Sequence, residues 1–309
     1  MTTGTTQVTK AAGARAAETG QLAVDVRGLR KRYGPVTAVD GIDLAVPHGE
    51  VFGILGPNGA GKSTTVEILQ GHRTRDGGEV SVLGADPATA GRDWRARVGI
   101  VWQDESAPAE LTVRETVSHF ARYYPHPRSP ADVLDLVGLQ EKADSRIKAL
   151  SGGQRRRLDV ALGIIGDPNL LLLDEPTTGF DPAARRQFWD VIRALADEGT
   201  TVVLTTHYLQ EAEALADRIA VIARGRVVAE GEPAALRREY GGEAVVEWTE
   251  PDGGPRDLRT TTPTRTVAEL MSRFDGEIPG LRISRPSLED VYLRLTGQED
   301  GPKSEEDER

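Results

Sequence analysis

Residues Gly56-Pro57-Asn58-Gly59-Ala60-Gly61-Lys62-Ser63 fit the pattern GxxxxGK[ST]. Glycines at such positions permit positive-φ turns that aim successive backbone N–H groups at phosphate oxygens. A helix start directly after them adds its partial positive charge. Lys62 can reach the β- and γ-phosphates, the Ser63 hydroxyl can ligate Mg²⁺, and Thr64 completes the cofactor-binding set. The bland alternative is a glycine-rich turn that happens to contain Lys-Ser, and the apolar run just before the loop argues against it. Downstream, Leu170-Leu171-Leu172-Leu173-Asp174-Glu175 ends an apolar run in two carboxylates. Asp174 is expected to hold Mg²⁺, directly or through water. Glu175, one residue further out, is expected to act as the general base for in-line attack of water on a γ-phosphate. The pair is weak alone and strong behind a phosphate loop. The chemistry is that of a nucleotide site.

These residues need a scaffold. Val51–Leu55 reads as a strand leading into the glycine-rich turn, and Leu22–Val26 and Val98–Trp102 read as further strands. Leu170–Leu173 and Val202–Leu204 are short, uninterrupted apolar runs, as expected of strands buried on both faces. A helix from about Pro182 to Glu198 separates them, which makes a βαβ crossover and a parallel sheet. Between Pro108 and Asp167 the periodicity is mostly helical, clearest over Thr112–Tyr124 and Pro130–Val137. Past Gly231 the character changes. Thr, Gly and Pro become frequent from Gly241 to Pro263, then helix-like pieces follow over Val267–Phe274 and Ser287–Leu295 with a strand-like piece between.

The whole chain has 309 residues, 38 Lys+Arg against 48 Asp+Glu, a net charge of −10 and no cysteine. The length suits two domains. The acidic balance argues against a free-standing nucleic-acid binder, and the missing cysteines exclude disulfide scaffolds and thiolate chemistry. No apolar run is long enough for a transmembrane helix, and the start lacks a secretory h-region. The expected organisation is a disordered arm over 1–20, a catalytic domain over 21–235, a small accessory domain over 236–297 and an acidic disordered tail over 298–309.

Other short motifs identify a family. Leu150-Ser151-Gly152-Gly153-Gln154, just before the helix-like Arg155–Ile164, resembles the LSGGQ signature of the ATP-binding cassette family. Gln103 occupies that family's Q-loop position, Thr178-Gly179-Phe180-Asp181 its D-loop, and His207 its switch histidine. Tyr33 matches the aromatic that stacks on adenine. The elements follow the family's order and approximate spacing across residues 22–232. The resemblance implies an α/β fold: a P-loop NTPase cassette with a mixed sheet core and antiparallel β and α-helical subdomains, followed by a small α+β C-terminal domain. It implies ATP and Mg²⁺ as ligands, with Lys62, Gln103, Glu175 and His207 catalytic and Ser63, Gln103 and Asp174 around the metal. It also implies a homodimer that sandwiches two ATP molecules, so that Ser151, Gly152, Gly153, Gln154 and Asp181 of one copy face the phosphate loop of the other.

A cassette without membrane spans needs a separate permease, so contact with the cytoplasmic face of the membrane is expected through that permease only. Pro286-Ser287-Leu288-Glu289-Asp290-Val291-Tyr292-Leu293-Arg294-Leu295-Thr296-Gly297 resembles the ending of daunorubicin-resistance-type ATPases, as does Leu158-Asp159-Val160-Ala161. Read from its residues alone, that ending is an amphipathic helix capped by Ser287 and stopped by Gly297. Export of a drug or antibiotic is the first reading. Export of lipid, polysaccharide or ion, and an importer, stay open. One phosphate loop argues against tandem-cassette translation factors. The span from Lys62 to Ser151 leaves no room for the long coiled coil of a chromosome-organising ATPase.

Overall fold

A computed structural model of the chain describes residues 22–101, 110–274 and 277–297. The 1–20 arm, Trp102, Gln103 and the 298–309 tail lie outside the described residues. The chain divides into two compact units, one ending at Glu230 and the other beginning at Gly231.

The first unit opens with two long strands, β1 (Leu22–Tyr33) and β2 (Val36–Pro47), followed by β3 (Val51–Leu55). The phosphate loop leads into α1 (Lys62–Leu69), then β4 (Gly77–Val82), a one-turn α2 (Arg92–Arg95) and β5 (Val98–Val101). Helices α3 (Val113–Ala121), α4 (Pro130–Leu136) and α5 (Gly152–Ile164) form the helical part. There follow β6 (Leu170–Asp174), α6 (Pro182–Asp197), β7 (Thr201–Thr206), α7 (Leu209–Leu215), β8 (Arg218–Ala223) and β9 (Arg226–Gly231).

Six of these strands make one sheet in the order β5-β6-β7-β3-β8-β9, and β2-β1-β4 make a second. The expected βαβ crossover is present: β6 and β7 pair in parallel with Leu173 opposite Leu204 and Asp174 opposite Thr205. Successive side chains point to opposite faces of a strand, and here both faces are covered. Leu171, Leu173, Val202 and Leu204 enter one core with Phe188 and Ile192, whereas Leu170, Leu172, Val203, Phe52 and Ile54 enter the other. That is why these strands read as unbroken apolar runs. Truncating one such leucine to alanine would cost about 2–5 kcal/mol.

The antiparallel sheet is far larger than the single short strand read over Leu22–Val26. β1 continues through Arg27–Tyr33, where Arg30, Lys31 and Arg32 follow one another and the register with β2 shifts repeatedly, so no clean period-two pattern marks it. Helix α5 begins three residues ahead of the expected Arg155. Ser151 is its N-cap, with its hydroxyl accepting from Gln154 N and the Gln154 side chain accepting from Ser151 N. This capping box draws two glycines into the first helical turn.

The second unit holds α8 (Pro233–Tyr240), β10 (Ala244–Thr249), β11 (Pro255–Thr260), α9 (Pro263–Met271), β12 (Arg282–Ser284) and α10 (Leu288–Thr296). Its sheet has the order β11-β10-β12, antiparallel throughout. The hairpin β10–β11 lies in the stretch read only as rich in Thr, Gly and Pro. Val246, Trp248, Leu270 and Ile278 form a small core. Helix α8 packs with α10, where the Arg294 guanidinium donates to the Tyr240 carbonyl at 2.8 Å. The first turn of α8 therefore belongs to this unit, and the division falls a few residues ahead of the expected 235/236.

Candidate functional site

The three central strands bring the site together. β3 lies between β7 and β8, and Leu55 pairs with Thr206. The loops leaving β3, β6 and β7 thus emerge side by side at the carboxyl edge of the sheet, the usual ligand edge of open α/β sheets.

The phosphate loop closes tightly on its surroundings. A Cβ on Gly56 would sit 2.3 Å from the Ile222 carbonyl, and one on Gly61 (φ +105°) would sit 2.3 Å from the Ala38 carbonyl. Only glycine fits at either position. Gly61 is also the N-cap of α1 and has no side chain to accept from its first N–H groups, so the helix start is left to an anion. Asn58 and Gly59 are exposed, Pro57 is half-buried, and Ala60 is buried with its N–H on the Pro57 carbonyl. Lys62 is only 4% exposed, and its ammonium donates to the Gly56 carbonyl at 2.8 Å and to that of Pro57 at 3.2 Å. Burial pushes its pKa below the ordinary lysine value, while Glu175 and Asp174 act to restore it. A buried cation held on neutral carbonyls is ready to exchange them for phosphate oxygens. Thr64, half-buried, follows in the first turn.

The Ser63 hydroxyl donates to Asp174 Oδ1 at 3.4 Å, which sets a hydroxyl and a carboxylate oxygen next to each other beside the loop. Glu175 follows with φ +44°, the left-handed region, a conformation non-glycine residues hold only where the surroundings impose it. Here the imposition is visible. Glu175 N–H donates to the Thr205 carbonyl and hydroxyl, at 3.2 and 3.0 Å, and the same hydroxyl donates to Asp174 Oδ1. One threonine holds the Asp174 carboxylate and the Glu175 backbone. The His207 Nδ1 lies 3.3 Å from Glu175 Oε2, and the Thr178 hydroxyl lies 3.5 Å from the same oxygen. Glu175 is largely enclosed, 13% exposed, and His207 is open to solvent at 40%.

Other expected residues are not in this cluster. Ser151 is exposed and caps its own helix, with Gln154 as the second half of that cap. Gly152 has nothing within 4 Å of where a Cβ would lie, and Gly153 meets only Ala184. Asp181 caps α6, accepting from Ala183 N at 2.9 Å and Ala184 N at 2.8 Å. Among the described residues no hydrogen bond joins Ser151, Gly152, Gly153 or Asp181 to Lys62, Ser63, Asp174, Glu175 or His207. Tyr33 ends β1 with its ring 5.2 Å from the Arg73 guanidinium and 5.7 Å from the Lys31 ammonium. Gln103 lies outside the described residues.

Sequence reasoning missed two contributors. Thr205 directly follows the apolar run Val202–Leu204, and only its register opposite Asp174 reveals it. Arg156, in a run of arginines, is buried, donating from Nε to the Pro176 carbonyl at 2.9 Å and from Nη2 to the Asp174 carbonyl at 3.1 Å. It ties α5, which starts at Ser151, to the turn carrying Glu175.

Comparison with known proteins agrees with this geometry. The profile of the family described as ABC transporter matches residues 39–178. The Nod factor export ATP-binding protein I of Ralstonia nicotianae is 41% identical, over 89% of this chain and 94% of its own length. The daunorubicin/doxorubicin resistance ATP-binding protein of Streptomyces peucetius is 40% identical over 92% of this chain and 96% of its own. A dimeric ATP-binding cassette solved in a post-hydrolysis state with ADP and phosphate superposes with a TM-score of 0.61 at 26% identity. It covers 68% of this chain and 98% of that one. With matches of that identity running almost end to end, and a cassette fold beneath them, the chain belongs to the ABC transporter family as an ATP-binding subunit that hydrolyses ATP.

Proposed function

We propose that this ATPase drives a separate membrane permease that exports a drug or antibiotic. The observation that carries the reading is the extent of the match to the Streptomyces peucetius resistance protein, which spans the second unit as well as the cassette. A second reading, export of a cargo other than a drug, is favoured by the Nod factor export relative at 41% identity. Co-expression with its permease tests both. ATP hydrolysis in those membranes that daunorubicin stimulates supports drug export. Stimulation by a lipid or oligosaccharide panel, with daunorubicin inert, moves the assignment to the second reading.

The site performs hydrolysis by positioning and electrostatics. Lys62 and the uncapped N–H groups of α1 bind the β- and γ-phosphates, and Tyr33 stacks on adenine. Ser63 and Asp174, with Gln103, are the residues that would hold Mg²⁺. The adjacent hydroxyl and carboxylate oxygens suit a hard cation that takes its other ligands from phosphates and water. Bound there, the ion would neutralise charge on the transferring phosphoryl group. Glu175 takes the proton of the attacking water, and its His207 neighbour steadies that water and the γ-phosphate. Ser151 with the Gly152 and Gly153 N–H groups, and Asp181, act across a homodimer interface on the ATP bound by the other copy. The Ser151 oxygen accepts within its own helix, which leaves its hydroxyl proton to donate to phosphate. No helix among the described residues is long and apolar enough to cross a membrane. The chain sits at the cytoplasmic face by holding the permease, and nucleic acid is not a partner.

A further inference from the structure

Between α6 and α7 lies a carboxylate that none of these roles uses. Glu211, on α7, is fully enclosed at 0% exposure. An enclosed carboxylate is unfavourable unless several groups hold it, and the groups that hold this one come from three separate parts of the site. Its Oε1 accepts from Trp189 Nε1, on α6, at 3.3 Å. Burial raises its pKa above the ordinary glutamate value, while the Thr206, Thr177 and Trp189 side chains and the Arg185 charge favour its charged form. Thr206 immediately precedes His207, and its hydroxyl accepts from Tyr208 N at 2.9 Å. Thr177 is two residues beyond Glu175. The Thr177 hydroxyl and Glu211 Oε2 are both enclosed, and neither has a hydrogen bond among the described residues.

A second connection runs parallel to the first. The His207 ring lies 4.1 Å from that of Tyr208, and the Arg185 guanidinium lies 4.3 Å from the Tyr208 ring. Arg185 and Trp189 sit one turn apart on α6, the helix that Asp181 caps. One carboxylate therefore touches the segment before the histidine, the segment after the glutamate, and the helix that starts at Asp181. A carboxylate needed only for packing would be satisfied within one of these elements.

We propose that Glu211 is a positioning residue: it holds the His207 segment against the Glu175 segment and fixes both to the helix beginning at Asp181. The inference rests on the reading of Glu175 and His207 as the reacting pair.

The test uses the full chain with its permease in membranes. Glu211→Ala, Glu211→Gln, Trp189→Phe and Glu175→Gln are compared for kcat, KM for ATP and thermal midpoint. Glu211→Ala should lower kcat about tenfold, as expected for misplaced reacting groups, with KM for ATP little changed. Glu211→Gln keeps an acceptor for Trp189 and offers an amide to Thr177, so it should restore most of the lost kcat. Trp189→Phe removes one holder and should lower kcat about threefold. A Glu211→Ala enzyme with wild-type kcat overturns the proposal, as does a fall in thermal midpoint with kcat untouched. If both Glu211 variants fail to fold, Trp189→Phe decides, and wild-type kcat there overturns the proposal. Glu175→Gln separates the two readings. If it hydrolyses ATP normally, the assignment of the reacting pair fails. If it is inactive while Glu211→Ala is fully active, only the role of Glu211 fails.

Discussion

At the carboxyl edge of the central sheet, Ser63, Asp174, Thr205, Glu175 and His207 form a continuous chain of contacts, with Lys62 buried beside them. At the starts of α5 and α6 the capping side chains are bonded locally: Ser151 to Gln154, and Asp181 to Ala183 and Ala184. The first region is assembled by the fold of one chain. The second is capped within its own helices, and nothing lies within 4 Å of where a Cβ on Gly152 would project. In the proposed homodimer, the preorganised half would bind nucleotide and the outward half of the other copy would complete its electrostatics. Separating the two halves by mutation tests that division.

The largest effect should come from Glu175→Gln. Removing a general base lowers kcat by about 10²–10⁴-fold, while Lys62, Ser63 and Ser151 still hold ATP. The variant should therefore elute as a dimer in Mg-ATP on gel filtration. A strictly monomeric elution at saturating nucleotide would show that closure needs the permease or that Glu175 is not the base. Lys62→Ala should remove about 10²-fold or more from kcat/KM, since a charge-assisted contact to phosphate is lost. Equilibrium binding of a fluorescent ATP analogue reads this directly, and near-normal affinity would mean the loop has another function.

Ser151→Arg cuts the other half. Nucleotide binding should survive, because nothing at the carboxyl edge changes, whereas the ATP-dependent dimer of Glu175→Gln should vanish in the double variant. Persistence of that dimer would remove the signature from the interface. Thr205→Val is a smaller perturbation of the preorganised half. It strips the hydroxyl that aligns Asp174 and Glu175 and should lower kcat about tenfold through one lost buried hydrogen-bonding group. The smallest effect is expected for Ser287→Ala, which removes a cap of the same kind as Ser151 from α10. It should reduce stability by about 1 kcal/mol and leave ATP binding and ATP-dependent dimerisation unchanged. A loss of either would give the second unit a part in the nucleotide cycle.

The local chemistry was legible because it depends on neighbours in the chain. Gly56–Ser63 must form a phosphate loop wherever a strand precedes it and a helix follows, and Leu170–Leu173 reads as doubly buried because every residue in it is apolar. The long antiparallel strands of β1 and β2 were not legible, since their bulges break the alternation on which strand reading depends. Thr205 and Arg156 were invisible for a different reason. A threonine in a strand and an arginine among arginines carry no signal until pairing and packing give them partners.

The three serine or threonine capping boxes make the same point. Thr112 with Glu115, Ser151 with Gln154 and Ser287 with Asp290 are the same local device, a cap satisfied within four residues, yet the sequence reading marks only Ser287 as a cap and starts the Ser151 helix at Arg155. Which start is joined to the strand end that carries Asp174 was decided only by tertiary structure. Arg156 reaches from the Ser151 helix to the carbonyls of Asp174 and Pro176. Short-range hydrogen bonding is encoded by adjacent residues, whereas the meeting of β3, β6 and β7 at one edge follows from burying both faces of a sheet whose strands lie far apart in the chain.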